Sequence, residues 1–325
     1  MKDDAVFDLP RAGTLVTGAS GLLGSRVLAA FGRLGPSLRL VPAGRRPAAG
    51  GVALDLADSE LAVPAGIGMV VNVAGEKRDE ALMRQVNDEG AARLVRAAAA
   101  AGVRRFVHVS SVGVYGAAGR DALVGPGDAH TPRNAYEASK SAGEAQVRRL
   151  CAQHGLQCIV VQPSTVLAHV PGRSYPLLGL MANLRQGRFA YFGDGDAWLN
   201  YVHVDDVADA LASAALRGSD GGTYIVNTPA GLSQVVGWIC DELGCEAPRR
   251  HIPLWIGHAA AALGSGVQRL TGRPLPINRE RVLEMTSKTR FDDGALARDT
   301  GFVYPLGIEA AVRGFVRAYV KEGKL

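Results

Sequence analysis

Residues 14–24 read Thr-Leu-Val-Thr-Gly-Ala-Ser-Gly-Leu-Leu-Gly (TLVTGASGLLG), and this stretch decides the fold. The apolar run 14–17 predicts a buried strand that ends in a glycine turn, and Leu22 to Leu34 has helical spacing. The three glycines have separate uses. Gly18 permits the tight turn, Gly21 lets the backbone approach a pyrophosphate, and Gly24 lets the helix pack close to the sheet. The helix N-terminus adds free N–H groups and a partial positive charge. Glycines at this spacing, directly between a strand and a helix, predict a dinucleotide cradle, with Ser20, Leu22 and Leu23 as its other contacts.

The same alternation continues outward. Strands are predicted at Leu38–Pro42, Met69–Val73, Phe106–Val109 and Cys158–Gln162. Helices are predicted at Glu89–Ala101, closed by Gly102, and at Tyr136–Cys151. Nearly continuous apolar strands alternating with helices predict a parallel sheet covered on both faces, with ligands at the carboxyl ends of its strands. The rhythm breaks after Gln162. A strand–helix unit returns at Tyr201–Leu216, a strand at Thr223–Asn227, and a closing helix at Ile308–Lys321. The expected fold is α/β: a Rossmann-type doubly wound parallel sheet with a smaller C-terminal substrate-binding lobe. Residues 1–170, with 201–229 returning, form the dinucleotide domain; 171–200 and 230–325 form the lobe.

Composition narrows the function classes. The 325 residues are 47% hydrophobic and 21% charged, ordinary for a globular chain. The net charge of +5 is spread without a Lys/Arg block interleaved with aromatics, so no nucleic-acid partner is expected. Cys151, Cys158, Cys240 and Cys245 match no zinc spacing and read as free thiols of a reducing compartment. The start, MKDDAVFDLP, lacks an apolar signal region. No run approaches the roughly 20 apolar residues that span a bilayer. A cytoplasmic protein without membrane insertion is expected.

The end of the second strand bears on the cofactor. An acid there would bond both ribose hydroxyls of NAD(H); this chain has Ala43, Gly44, Arg45 and Arg46. Two guanidiniums suit a 2′-phosphate, which favours NADP(H), with NAD(H) as the alternative. Asp55 and Leu56 are placed to meet the adenine, and Ala74 and Gly75 to let the backbone pass the cofactor.

Tyr136 and Lys140, four apart on a helix, share one face, and they follow a strand that ends in Ser110-Ser111. Reducing a carbonyl leaves an alkoxide that must take a proton. Tyr136 is the candidate acid, its phenol ordinarily near a pKa of about 10. A nearby Lys140 ammonium is expected to lower that pKa and to hold the nicotinamide ribose. Ser111 is expected to hydrogen-bond the substrate oxygen.

At these residues the chain resembles the extended short-chain dehydrogenase/reductase family, the NAD-dependent epimerase/dehydratase group. The segments TGASGLLG, VVNVAG, VNDEGAARLV, FVHVSSVGVYG, YEASK, VVQPSTV and YVHVDDVADA carry it in order. The resemblance implies that Ser111 is the triad member with Tyr136 and Lys140, and that Ser110 supports the nicotinamide side. It also implies that Asn87 braces the site and that the chain from Pro163 lines the nicotinamide. His203–Asp206 looks like a helix-starting element, so no metal is expected. A looser similarity of GRFAYFGDGDAWLNYVHVDDVADAL and RVLEMTSKTRFD to enzymes of polysaccharide biosynthesis implies a nucleotide-sugar substrate, and family analogy implies a homodimer through the helices 89–101 and 136–151. The leading expectation is reduction of a 4-keto nucleotide sugar with NADPH. The alternatives are a redox-neutral 4-epimerase with tightly held NAD, an NADPH reductase of a non-sugar carbonyl, and a non-enzymatic NADP sensor.

Four places depart from the family pattern. Leu199-Asn200 stands where many members carry an arginine for the substrate pyrophosphate, leaving Arg281, Lys288 or Arg290 as substitutes. Gln162-Pro163 replaces the usual Arg-Pro, and Ala168 replaces a glycine. Val112 and Gly113 occupy the place of a dehydratase's acids, which counts against dehydration. The aromatics Tyr175, Phe189, Tyr191, Phe192 and Trp198 are candidates for an apolar pocket.

Overall fold

The structure, a computed structural model, describes residues 12–47, 50–116, 121–172, 175–259 and 279–325. The acidic start that bears on a signal peptide lies outside them. Strand β1 (Gly13–Thr17) leads through the glycine turn into α1 (Leu22–Leu34). Then follow β2 (Leu40–Gly44), β3 (Val52–Ala53) and β4 (Ile67–Asn72). Helix α2 (Glu80–Arg84) passes through a π-helical turn (Gln85–Gly90) into α3 (Ala91–Ala100). Next come β5 (Arg105–Val109), β6 (Leu123–Val124), α4 (Ala135–His154) and β7 (Gln157–Pro163).

After β7 the chain forms β8 (Thr165–Leu167), α5 (Pro176–Arg185), β9 (Tyr191–Phe192), β10 (Trp198–His203) and α6 (Val204–Arg217). It continues through β11 (Thr223–Val226), β12 (Thr228–Gly231), α7 (Leu232–Leu243) and β13 (His251–Ile252). It ends with α8 (Arg279–Thr286), β14 (Arg290–Phe291), α9 (Gly294–Thr300) and α10 (Gly307–Lys321).

The main sheet has seven parallel strands in the order β11-β7-β5-β4-β1-β2-β3. The strand order reverses between β1 and β4, and the crevice at such a reversal is where open α/β sheets take ligands. Apolar side chains alternate along each strand. Val16, Val71, Val107 and Val161 pack under α1 and α6 on one face. Leu15, Val70, Phe106 and Val160 pack under α3 and α4 on the other. This is the doubly wound Rossmann-type arrangement the sequence predicts.

The later segments build a second core. Leu177, Met181, Val235, Ile239, Val312 and Phe315, from α5, α7 and α10, pack against a three-stranded sheet ordered β12-β10-β8. The parallel pairing of β14 with β6 brings Arg290-Phe291 beside the loop that follows β5.

Several element boundaries differ from the sequence reading by a residue or more, and two of the differences matter for the site. Strand β2 runs to Gly44, so Arg45 leaves directly from its carboxyl end. The helix expected at 89–101 starts at Glu80 and widens into a π turn through Asn87. Small neighbours make room for it: a Cβ on Gly143 of α4 would collide with the Asn87 carbonyl oxygen, and one on Gly90 with the Leu56 carbonyl oxygen. Single π turns inside helices recur at functional sites.

Candidate active site

The glycine turn spans the crevice. Gly18 has a φ of +64°, and a Cβ on it would lie 2.9 Å from the Ala74 Cα, so the loops after β1 and β4 touch there. Gly24 packs against the turn itself, where a Cβ would strike the Gly18 carbonyl oxygen; the expectation of contact with the sheet is corrected to contact with this turn. Gly21 caps α1 in an extended conformation without a side-chain cap, which leaves first-turn N–H groups as anion donors. Ser20 is exposed, Leu22 and Leu23 are half-buried, and Leu23 packs on the core.

Arg45 and Arg46 are exposed at the end of β2. The half-buried Asp55 accepts the Ala57 N–H at 3.0 Å, and the buried Leu56 gives its carbonyl to Arg93 at 2.8 Å. Gly75 follows Ala74 and lies open to solvent. A Cβ on Gly75 would stand 3.0 Å from the Lys140 Nζ and 3.1 Å from the Asn87 Oδ1, so only a bare backbone leaves this wall clear.

Ser111 ends the β5 segment. Its Oγ accepts the Gly113 N–H at 3.1 Å. Asn134 caps α4 by accepting the Glu137 N–H at 2.9 Å, and this sets the rotation that puts Tyr136 and Lys140 on one face. The Tyr136 hydroxyl neighbours Ser111. Burial pushes the Tyr136 phenol above its ordinary value, and the neighbouring Ser111 hydroxyl only partly offsets it. The expected lowering by Lys140 is thus not found, because desolvation dominates and the lysine is not among the groups that shift the phenol. The fully enclosed Lys140 is itself pushed down to about 8 by burial, against the pull of Glu144. Its Nζ donates to the Val109 carbonyl at 3.0 Å.

Asn87 braces the site from the π turn. Its Nδ2 donates to the Glu76 carbonyl at 2.7 Å and to Ser139 Oγ at 3.0 Å, and its Oδ1 accepts the Glu76 N–H at 2.8 Å. Ser110 is buried, with no hydrogen-bond partner for its Oγ among the described residues, and Pro163 is buried at the end of β7. His203 caps α6 by accepting the Asp205 N–H, while Asp206 accepts the N–H groups of Leu306 and Gly307, each at 2.9 Å; both therefore serve helix and loop ends.

A cleft of about 280 Å³ begins one residue beyond the triad candidates, at Val112-Gly113 and at Glu137. Its walls include Val166, Leu167, Leu177, Trp198, Leu199 and Phe291. Leu199 and Asn200, the departures from the family's arginine, line it directly. Of the substitutes, Lys288 pairs with Asp196, Arg290 lies over the Trp198 ring at 4.9 Å, and the Arg281 side chain is outside the described residues. Tyr175 and Trp198 line the cleft as expected, whereas Phe189, Tyr191 and Phe192 are core.

Several residues escaped the sequence reading. Glu137, beside Tyr136, is a buried carboxylate in the cleft wall that accepts the Arg133 N–H at 2.7 Å. Nothing in its spacing marks it. A buried polar row crosses the carboxyl ends of three strands: Thr17 donates to Asn72 at 2.7 Å, and Asn72 meets the His108 ring at 3.3 Å. Burial first, and then the Lys140 charge, hold His108 well below its ordinary pKa. This row had a signal, a polar residue at or next to the carboxyl end of each of three neighbouring buried strands.

The glycine turn at the reversal point of a Rossmann-type sheet, with Ser111, Tyr136 and Lys140 on neighbouring elements, is the arrangement of a short-chain dehydrogenase/reductase superfamily enzyme. The family model for the NAD dependent epimerase/dehydratase family matches residues 14–227, and the chain belongs to that family. It is 24% identical over 251 residues to N-acetyl-alpha-D-glucosaminyl-diphospho-ditrans,octacis-undecaprenol 4-epimerase of Escherichia coli O157:H7, covering 74% of each chain. It is 26% identical to sterol demethylase protein B of Methylococcus capsulatus, over 96% of this chain and 99% of that protein. The solved structure of gox2253 superposes with a TM-score of 0.73 at 26% identity, covering 96% of this chain and 99% of that one.

Proposed function

We propose that the chain moves a hydride between NADP(H) and a carbonyl–alcohol pair on a substrate with an apolar body, using Ser111, Tyr136 and Lys140. One observation carries this reading: a largely apolar cleft opens at Val112-Gly113 and Glu137, one residue beyond the neighbouring Ser111 and Tyr136. The residues fit a dinucleotide. Gly75 keeps a bare backbone beside Lys140 and Asn87, Ser110 has an orphaned buried hydroxyl, and Lys140 spends one of its three donors on Val109. Gly18, Gly21 and Gly24, with Ser20, Leu22 and Leu23, would hold the pyrophosphate; Arg45 and Arg46 the 2′-phosphate; Asp55 and Leu56 the adenine. Ala74, Gly75, Ser110 and Pro163 would border the nicotinamide.

A bound nicotinamide dinucleotide supplies the hydride. Tyr136 gives its hydroxyl proton to the substrate oxygen as negative charge develops there, and burial keeps the phenol protonated until then. Ser111 donates a hydrogen bond to the same oxygen. Lys140 would hold the ribose. Residues 171–200 and 230–325 act as the substrate-binding lobe. A homodimer through α3 and α4 belongs to this reading and is checked by light scattering.

The sterol-named relative aligned along nearly its whole length and the apolar walls favour a hydrophobic carbonyl compound. The second reading is a sugar nucleotide or lipid-linked sugar, reduced or epimerised at C4. It is favoured by the epimerase relative and by Arg133 in the cleft wall.

The test is to identify any dinucleotide released on denaturation, titrate the emptied protein with NADPH and NADH, and then assay both substrate classes. Tighter NADPH binding with turnover of apolar ketones supports the first reading. Tightly retained NAD with redox-neutral sugar epimerisation supports the second and overturns the first.

A further inference from the structure

Residues 247–279 contain five arginines and not one Asp or Glu, so this stretch alone equals the whole formal excess of +5. Within its described part, Arg249, Arg250, His251 and His258 are exposed. Between them, at the start of a helical segment (residues 254–259), Leu254, Trp255 and Ile256 are 43%, 71% and 40% exposed. They are the one run of consecutive exposed large apolar residues among those described. Glu246 and Asp194 are exposed acids beside this region.

The segment is held firmly from behind. The Tyr191 N–H donates to the Arg250 carbonyl and the Gly193 N–H to the Ile252 carbonyl, both at 2.9 Å, and the His251 ring stacks on Tyr191. Gly257 lies so close to the Phe192 ring that a Cβ would come within 2.8 Å. Its anchoring faces inward, while Trp255 is 71% exposed on the same segment as the exposed Arg249 and Arg250. An exposed indole with aliphatic neighbours, on a segment that also exposes Arg249 and Arg250, matches the interface of a bilayer, where the ring sits at headgroup depth and arginines meet anionic phosphates. A second copy suits it poorly, because a two-fold contact would set Arg249 and Arg250 against themselves.

We propose that this surface docks the protein peripherally on a bilayer of anionic phospholipid. The cleft is close by: Phe192 packs on Val282 of α8, and that helix leads into Ser287 and Thr289, which line the cleft. Docking therefore presents the cleft to a substrate carried in the membrane, a consequence that rests on the apolar-substrate reading above; the docking itself does not.

The test is sedimentation of the full chain, without substrate, with phosphatidylcholine vesicles and with mixed phosphatidylcholine–phosphatidylglycerol vesicles. Binding is expected only to the mixed vesicles and should fall at high salt. Arg249→Ala/Arg250→Ala should weaken it about 30-fold, and Trp255→Ser about tenfold, with turnover of a water-soluble substrate unchanged. Equal binding to neutral vesicles, or none to either, overturns the proposal. So does a dimer in light scattering that Trp255→Ser abolishes without any vesicle binding, which would assign the patch to a second copy. Vesicle binding with no activity on apolar ketones would leave docking intact and refute only the substrate reading.

Discussion

The Nζ of Lys140 donates to the Val109 carbonyl oxygen at 3.0 Å from a position enclosed by protein. The bond ties α4 to the end of β5, but it does not repay the desolvation of the ammonium, which is pushed down to about 8.

A pH dependence follows. Below about pH 8 the folded chain holds the Lys140 proton; above it the ammonium is lost. Dinucleotide affinity and kcat/KM for reduction should therefore fall as pH rises through about 8, as titration and initial rates across pH would register.

The same burial makes Lys140 a cost to stability. Below about pH 8 both folded and unfolded chains are protonated and the cost is present in full. Between about 8 and 10.5 the unfolded chain binds the extra proton, so this contribution to stability rises with pH. Lys140→Met should abolish activity yet stabilise the fold at neutral pH. The gain is on the order of 3 kcal/mol from the pKa displacement, less about 1 for the lost bond to Val109. Denaturant melts at two pH values should show the gain shrinking as pH rises.

Gly143→Ala should disturb the π turn, because the new methyl meets the Asn87 carbonyl. A loss of about 1–3 kcal/mol is expected from overpacking. Asn87 would shift with it, so dinucleotide affinity should fall even at temperatures where the variant is fully folded; calorimetry and ligand titration separate the two effects.

Trp198→Ala removes a cleft wall and frees Arg290 from its ring. KM for an apolar ketone should rise about tenfold with kcat little changed, the pattern of lost uniform binding. Steady-state kinetics checks it.

The sheet was legible because β1, β4, β5 and β7 are apolar runs of a length that only buried parallel strands explain, and α1 was placed to the residue. The placing of Tyr136 and Lys140 on one helix beside Ser111 was legible from their identities and spacing. The Tyr136 pKa was not, because spacing reveals a neighbour but not the desolvation that outweighs it. The π turn escaped because it depends on Gly90 and Gly143 meeting backbone from distant segments. Glu137 escaped for a similar reason: a carboxylate in the first turn of a helix ordinarily faces water, and only the fold over it makes it a cleft wall.

The most direct test is Tyr136→Phe, measured for NADPH affinity and for single-turnover hydride transfer to a ketone that the unmodified chain reduces. Retained affinity with transfer slowed at least about a hundredfold is the predicted result. Transfer at the original rate would contradict the assignment of Tyr136 as the proton donor and, with it, the catalytic reading of the site.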